Sequence, residues 1–445
     1  MREGEKCEMK DFKYHLSVRD CRAIGAAEID LAEITVLSGV NASGKSTIAR
    51  MFRDLVELSA EYERLLAVRM WQGRMDMWRY VVTGSARLST RVKVACRYLT
   101  KNLADGTIAF PDAVALLEQA LRDVLSSGET GRDESMFVQR ARRLLDLDDG
   151  PLDLLAIFRQ EADNLLQKFE RRRKSRSYVA YRDLMDGNPL MEGRVTLEEG
   201  GRVVFSNDSA RDTLDEISFI KRAIYIESPL KSFPRAISLS ALNMEDGFTR
   251  VKEDIVPGKL ERLPELTEVL SGDFAYVKEY EEEEKEDVRA LLGRSGRWFY
   301  QRKDGERFAL DECATGIKSL SLLSVLYSRG WLDAETLLII DEPEAHLHPQ
   351  WIVEYARILL LLSKRLRVRI LVTSHSPDMV NALHTIGLAL GMGQDIGFYL
   401  AEADEKEKYK FNYRPLKNKV GDIFKAYNVS FDRIDSYARS VGEDI

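Results

Sequence analysis

Apolar positions along this chain first recur in short bursts. Tyr14 to Val18, Ala27 to Leu31 and Ile34 to Leu37 each read as a β-strand, and the last is apolar enough to be buried. A glycine-rich turn follows, with a helix predicted from Lys45. From Met51 to about Arg176 the period changes. Met51, Phe52, Leu55, Val56, Tyr62, Leu65 and Leu66 recur at helical spacing, and so do Val114, Leu117, Leu121 and Val124. Pro151 reads as the opening of another helix, where its missing N–H costs nothing, with Leu155, Phe158, Leu165, Leu166 and Phe169 on the apolar face. The stretch predicts a mostly helical insertion, residues 56–189, set into a head formed by 1–55 and 190–445.

Strand signals return at Arg194 to Thr196 and Arg202 to Phe205, joined by Glu199-Gly200-Gly201 as a hairpin turn. Ala223 to Ile226 is a further short strand. Residues 230 to 295 are mixed and polar, and the acidic run from Glu279 to Asp287 reads as a solvated face. Trp298 to Leu310 predicts a second hairpin around Lys303-Asp304-Gly305. Then come a helix (Gly316 to Tyr327), a strand (Leu337 to Ile340), a helix (Trp351 to Ser363) and a strand (Val368 to Thr373). Gly397 to Leu400 and Tyr409 to Tyr413 read as one more hairpin. The expected class is α/β with a mostly parallel sheet.

Composition narrows the setting. At 445 residues the chain is long for one compact domain, and 44% hydrophobic with 31% charged residues suits a soluble globular protein. A net charge of −7 excludes a general polyanion binder. Cys7, Cys21, Cys96 and Cys313 are scattered, with no C-x-x-C pair, and read as reduced thiols of a cytoplasmic protein. Met1 to Lys10 is charged and lacks a signal-peptide core, and no apolar run is long enough to span a bilayer. No membrane association is expected.

The chemistry concentrates in three places. Gly39-Val40-Asn41-Ala42-Ser43-Gly44-Lys45-Ser46 fits G-x-x-x-x-G-K-[ST], with a strand before it and a helix after it. Glycines let successive N–H groups face an anion, and the helix N-terminus adds its dipole. Lys45 can reach the β- and γ-phosphates of ATP, and the Ser46 hydroxyl can ligate Mg²⁺. Gly39, Asn41, Ala42, Ser43, Gly44, Lys45, Ser46 and the following Thr47 are the expected nucleotide contacts.

Leu337 to Ile340 is continuously apolar, as a parallel strand buried on both faces should be, and ends in Asp341-Glu342. Ligands of open α/β sheets sit at the carboxyl ends of strands. Asp341 is therefore the expected Mg²⁺ carboxylate and Glu342 the expected general base toward the attacking water. Arg369 to Thr373 repeats the pattern and ends in Ser374-His375-Ser376-Pro377, so His375 is a candidate contact to the γ-phosphate or the water. His346 and His348 are too few ligands for a zinc site and read as surface structure.

Together these segments resemble the ABC-type ATPase heads of the SMC, RecF and OLD-family group, with Walker A at Gly39 to Ser46, Walker B at Asp341 and Glu342, and a switch histidine at His375. Glu342-Pro343-Glu344-Ala345-His346-Leu347-His348-Pro349 is similar to the E-P-E-x-x-L-H-P stretch of these ATPases. The resemblance covers roughly residues 11 to 50 and 190 to 435. It implies a signature loop at Ala314-Thr315-Gly316-Ile317-Lys318, where Thr315, Gly316 and Lys318 would contact nucleotide held by an opposite subunit. Ala314 stands where the usual pattern has serine, a departure that implies slow or partner-controlled hydrolysis. It further implies a homodimer or higher oligomer that ATP joins and hydrolysis parts, and makes Glu227 the candidate for the Q-loop position.

Antiphage systems such as Septu and PARIS pair a similar ATPase subunit with a separate effector, a nuclease or toxin, whereas Gabija and OLD nucleases fuse a TOPRIM nuclease. Seventy residues follow His375 here, read as a strand pair with a helical tail, and Glu402-Ala403-Asp404 falls at the hairpin turn. The expectation is an ATPase subunit that regulates an effector in trans. The alternative is a DNA-maintenance ATPase of the RecF or SMC kind, for which the basic run Arg171-Arg172-Arg173-Lys174-Ser175-Arg176 offers a nucleic-acid contact, although cations at a helix C-terminus are also favoured by its dipole. Long heptad arms are missing. A transporter subunit fits the insertion poorly.

Overall fold

The apolar bursts and helical stripes become alternating strands and helices. A computed structural model describes residues 14–82, 86–104, 106–126, 153–176, 190, 192–208, 213–227, 237–238, 272–278, 296–302, 304–309, 312–328, 330–345, 347–416, 420–425, 436–437 and 439. Strands β1 (Tyr14–Cys21), β2 (Ile24–Leu31) and β3 (Ile34–Ser38) lead into helices α1 (Lys45–Val82), α2 (Ala86–Ala104), α3 (Phe110–Ser126) and α4 (Leu154–Ser175). Next come β4 (Arg194–Glu199), β5 (Arg202–Ser206), β6 (Thr213–Leu214), β7 (Arg222–Glu227) and β8 (Ile237–Ser238). Strands β9 (Gly272–Lys278), β10 (Gly296–Arg302) and β11 (Arg307–Ala309) precede α5 (Thr315–Ser328) and β12 (Thr336–Asp341). The chain continues through α6 (Pro349–Leu366), β13 (Arg369–Ser374), α7 (Pro377–Ala389), β14 (Ile396–Ala403) and β15 (Phe411–Pro415).

The parallel core of the large sheet runs β7-β12-β13-β3-β14. Antiparallel strands complete its two wings, β8 on one side and β1, β2, β4, β5 and β6 on the other. The hairpin β14–β15 joins the core to the larger wing, because β14 lies parallel to β3 while β15 lies parallel to β2. Strands β9, β10 and β11 form a separate antiparallel sheet.

Helices cover both faces of the core, which is why its strands are mostly apolar. Strand β12 is the clearest case. Leu337 and Ile339 pack into the cluster that holds α1 to α4, while Leu338 and Ile340 pack into the cluster that holds α5, α6 and α7. That alternation is the two-residue period of an extended chain. Both turns out of the strands are capped by side chains. His348 accepts from Gln350 N at the start of α6, and Ser376 Oγ accepts from Met379 N at the start of α7.

Several sequence expectations shift in detail. Helix α4 begins at Leu154, capped by the Asp153 carboxylate on the N–H groups of Leu155 and Ala156, rather than at Pro151. Strand β15 starts at Phe411 rather than Tyr409, since Asp404 accepts from Lys406 N and Glu407 N and holds residues 404–410 as a turn. Helix α7 and strand β9 carried no sequence signal that was read as such. Helix α1 passes residue 55 without a break, so the proposed edge of the insertion falls inside a continuous helix. The acidic run at 279–287 and His346 lie outside the described residues. No described helix is long and apolar enough to cross a membrane.

Candidate nucleotide site

Strand register brings three chain segments to one edge. Ser38 pairs with Ser374, and Asp341 pairs with Thr373 on one side and Glu227 on the other. The loop after β3, the acidic end of β12 and the histidine turn after β13 therefore leave the sheet at the same level, at carboxyl strand ends.

The loop at residues 39–46 is shaped for close approach. Gly44 has φ +94°, and a Cβ there would stand 2.7 Å from Ile24 Cγ1. A Cβ on Gly39 would meet that of Ala401 at 2.8 Å. Ala42 takes a left-handed φ of 62°, unusual for a residue with a side chain. Val40, Asn41 and Ala42 are exposed at the tip, whereas Ser43 is buried and its Oγ has no hydrogen-bond partner. Tyr413 on β15 ties the loop from below, its hydroxyl donating to Ser43 O at 3.2 Å.

Lys45 is buried, and its ammonium donates to Gly39 O at 2.9 Å and Val40 O at 2.8 Å. Burial lowers its pKa, an effect that the charges of Glu342, Asp341 and Glu344 partly offset. Ser46 Oγ donates to Asp341 Oδ1 at 2.9 Å. Thr47 is half-buried in the same first turn of α1.

Asp341 is held on every side. Thr373 Oγ1 donates to its Oδ1, and Tyr225 OH donates to its Oδ2 at 2.7 Å. The Tyr225 hydroxyl is pushed well above its usual pKa by burial and by the neighbouring carboxylate. Arg53 lies 5.2 Å above the Tyr225 ring, and Arg50 pairs with Glu227 at 3.2 Å, so β7 adds a charged belt beside Asp341.

The next residue turns sharply. Glu342 has φ 53°, a strained value for a non-glycine residue, and its N–H donates to Thr373 O at 3.0 Å. Its carboxylate lies 3.5 Å from His375 Nδ1, and both side chains are partly exposed. A hydroxyl and a carboxylate in contact, a buried lysine, and a loop with no room for a Cβ at Gly39 or Gly44 together fit Mg²⁺ and a triphosphate. Magnesium commonly takes one or two protein oxygens and completes its shell with phosphates and water.

The 39–47 loop, Asp341, Glu342 and His375 thus lie together at one edge of the sheet. Thr315, Gly316 and Lys318 form the first turn of α5, half-buried, and are seen against the segment that follows the acidic strand. A Cβ on Gly316 would lie 3.4 Å from Leu347 Cδ2 and Trp351 Cδ2. Glu227 sits at the end of β7, level with Asp341. The sequence reading missed Tyr225, Thr373 and Tyr413. Thr373 was the discoverable one, a hydroxyl closing an otherwise apolar strand.

The basic run lies at the end of α4 and is partly engaged. Arg173 pairs with Glu170 at 3.1 Å and Glu63 at 3.6 Å, and Arg176 lies 5.8 Å from the Tyr62 ring centroid. Cys21 and Cys96 are buried thiols.

A strand–loop–helix phosphate cradle facing an acidic strand end, on a parallel core with helices on both faces, defines a P-loop NTPase domain. More particularly, residues 34–381 match the family described as "AAA domain, putative AbiEii toxin, Type IV TA system", and the chain belongs to that family. The Septu protein PtuA of Bacillus thuringiensis is 40% identical over 72 residues, which is 16% of this chain and 17% of that protein. The chain thus matches about a sixth of the length of this curated relative. Among solved structures, an Smc head bound to the C-winged helix domain of ScpA overlaps with TM-score 0.39 at 12% identity, over 91% of this chain and 97% of that one. The SMC head domain from Thermotoga maritima overlaps with TM-score 0.31 at 11% identity, over 91% and 98%. Overlaps at that level are too loose to build on.

Proposed function

We propose that this chain is a Mg²⁺-dependent ATPase whose nucleotide site is completed by a second copy, and that it controls a separate effector protein in antiphage defence. The observation that carries the chemistry is the meeting of Ser46 with Asp341 beside Lys45. Ser46 and Asp341 would hold Mg²⁺, which supplies charge neutralisation on the phosphates when bound. The amides and Lys45 of the 39–47 loop bind and orient the triphosphate. Glu342 takes the proton of the attacking water, and His375 beside it holds the water or the terminal phosphate.

Completion by a second copy is the reading that the resemblance gives to Thr315, Gly316 and Lys318, and their position at a helix N-terminus, where N–H groups favour phosphate, supports it. Binding joins two copies only if the joined state holds ATP more tightly, and contacts to the γ-phosphate supply that difference. The defence setting leans on the short stretch shared with a Septu protein and on the printed description of the family. The effector would be a nuclease or toxin on another chain.

The experiment is Glu342→Gln. The variant is expected to bind ATP, turn over about 10²- to 10⁴-fold more slowly and accumulate as a dimer. Wild-type turnover in that variant removes the assigned base, and a monomer at saturating ATP removes the shared site.

A further inference from the structure

Glu344 takes part in none of the roles above, yet its side chain is as heavily engaged as that of Asp341. It is buried, at 7% exposure, two residues beyond Glu342. Its Oε1 accepts from Ser374 Oγ at 2.8 Å, from His375 N at 2.8 Å and from Ser376 N at 3.1 Å. The same oxygen lies 3.4 Å from His375 Nδ1. That ring nitrogen is buried without a hydrogen-bond partner, and so is Glu344 Oε2. Two orphaned polar atoms on neighbouring side chains are costly unless the site uses them, because each forgoes a hydrogen bond worth about 1–3 kcal/mol when buried.

We propose that Glu344 is a positioning residue for His375. Its carboxylate fixes the Ser374-His375-Ser376 turn through the backbone and acts as acceptor toward the Nδ1–H of the ring. Two consequences follow. The imidazole is held in the tautomer that leaves Nε2 uncommitted for the nucleotide side, since the partner of one ring nitrogen sets the state of the other. The second concerns Glu342, whose carboxylate lies 3.5 Å from the same Nδ1. By engaging that N–H, Glu344 leaves the Glu342 carboxylate free to accept a proton from water. This rests on the ATPase reading and adds to it the residue that aligns the histidine.

Two measurements test it. In the wild-type protein, imidazole ¹⁵N resonances should report a proton on Nδ1 of His375, assigned by comparison with His375→Ala. A ring carrying its proton on Nε2 alone overturns the proposal without reference to activity. In Glu344→Gln, the amide oxygen can still accept from the three donors, but as a neutral acceptor it holds the Nδ1–H of His375 more weakly. We expect kcat to fall about 10- to 100-fold, the range for losing an orienting partner of a histidine, with KM and affinity for a non-hydrolysable ATP analogue unchanged. The Glu344→Gln/His375→Ala double variant should be no slower than His375→Ala alone. A fall in melting temperature and nucleotide affinity together, with the ¹⁵N signature unmoved, would make Glu344 purely structural. A wild-type protein that neither binds nor hydrolyses ATP would instead sink the ATPase reading, and the ring tautomer still decides the role of Glu344.

Discussion

Ser46 and Asp341 stand 295 positions apart in the chain and share a hydrogen bond of 2.9 Å. The contact joins the first turn of α1 to the end of β12 across strands β3 and β13. It places a hydroxyl and a carboxylate where one divalent cation can reach both, and several expectations grow from its surroundings.

Replacement of Lys45 by alanine removes the buried ammonium of the loop. ATP affinity is expected to fall about 10- to 100-fold, matching the roughly 1.5–3 kcal/mol of one charged hydrogen bond. Isothermal titration with a non-hydrolysable analogue reads it, and unchanged affinity would count against the loop as phosphate cradle.

Gly44→Ala addresses the loop's shape. The new methyl would sit against Ile24 at a backbone φ of +94°, so both strain and overlap oppose it. We expect a stability loss of at least about 1–2 kcal/mol and weakened nucleotide binding. A variant with wild-type melting temperature and affinity would show that the loop does not need its tight turn.

Tyr225→Phe deletes the hydroxyl that donates to Asp341 Oδ2 while keeping the ring under Arg53. Orienting partners of metal ligands are typically worth 10- to 100-fold in metal affinity. The Mg²⁺ concentration needed for half-maximal ATP binding should rise by about that factor, and an unmoved Mg²⁺ curve would leave Tyr225 with a packing role only.

His15 supplies a pH test far from the nucleotide. Burial alone would lower its pKa, but Asp30 at 2.8 Å and Glu28 at 3.0 Å outweigh that and raise it. A raised folded pKa means the stabilisation is complete below the unfolded value near about 6.5 and fades as pH climbs through the folded one. The melting-temperature gap between wild type and His15→Asn should therefore be wider at pH 5.5 than at pH 8.5. A gap that widens toward alkaline pH would reverse the assignment.

Much of this site could be read from sequence because its chemistry is local. Residues 39–46 carry loop, lysine and hydroxyl in one run, and Leu337 to Ile340 announce a doubly covered strand by being apolar at every position. What escaped was set by tertiary pairing. Tyr225 is one more apolar-looking residue of a short strand until β7 is seen beside β12. Helix α1 was legible turn by turn, but not as one element of 38 residues, because its pattern changes where it leaves the sheet. Strand β15 was misplaced by two residues through a turn that the Asp404 side chain holds together. Glu344 was visible as a letter in a familiar stretch, and only coordinates reveal three donors converging on one of its oxygens.

The length of α1 has a mechanical meaning. At 1.5 Å per residue its 38 residues make a rod of about 57 Å, and the rod's base is Lys45 itself. A swivel of about 5° at that base would sweep the Val82 end through about 5 Å.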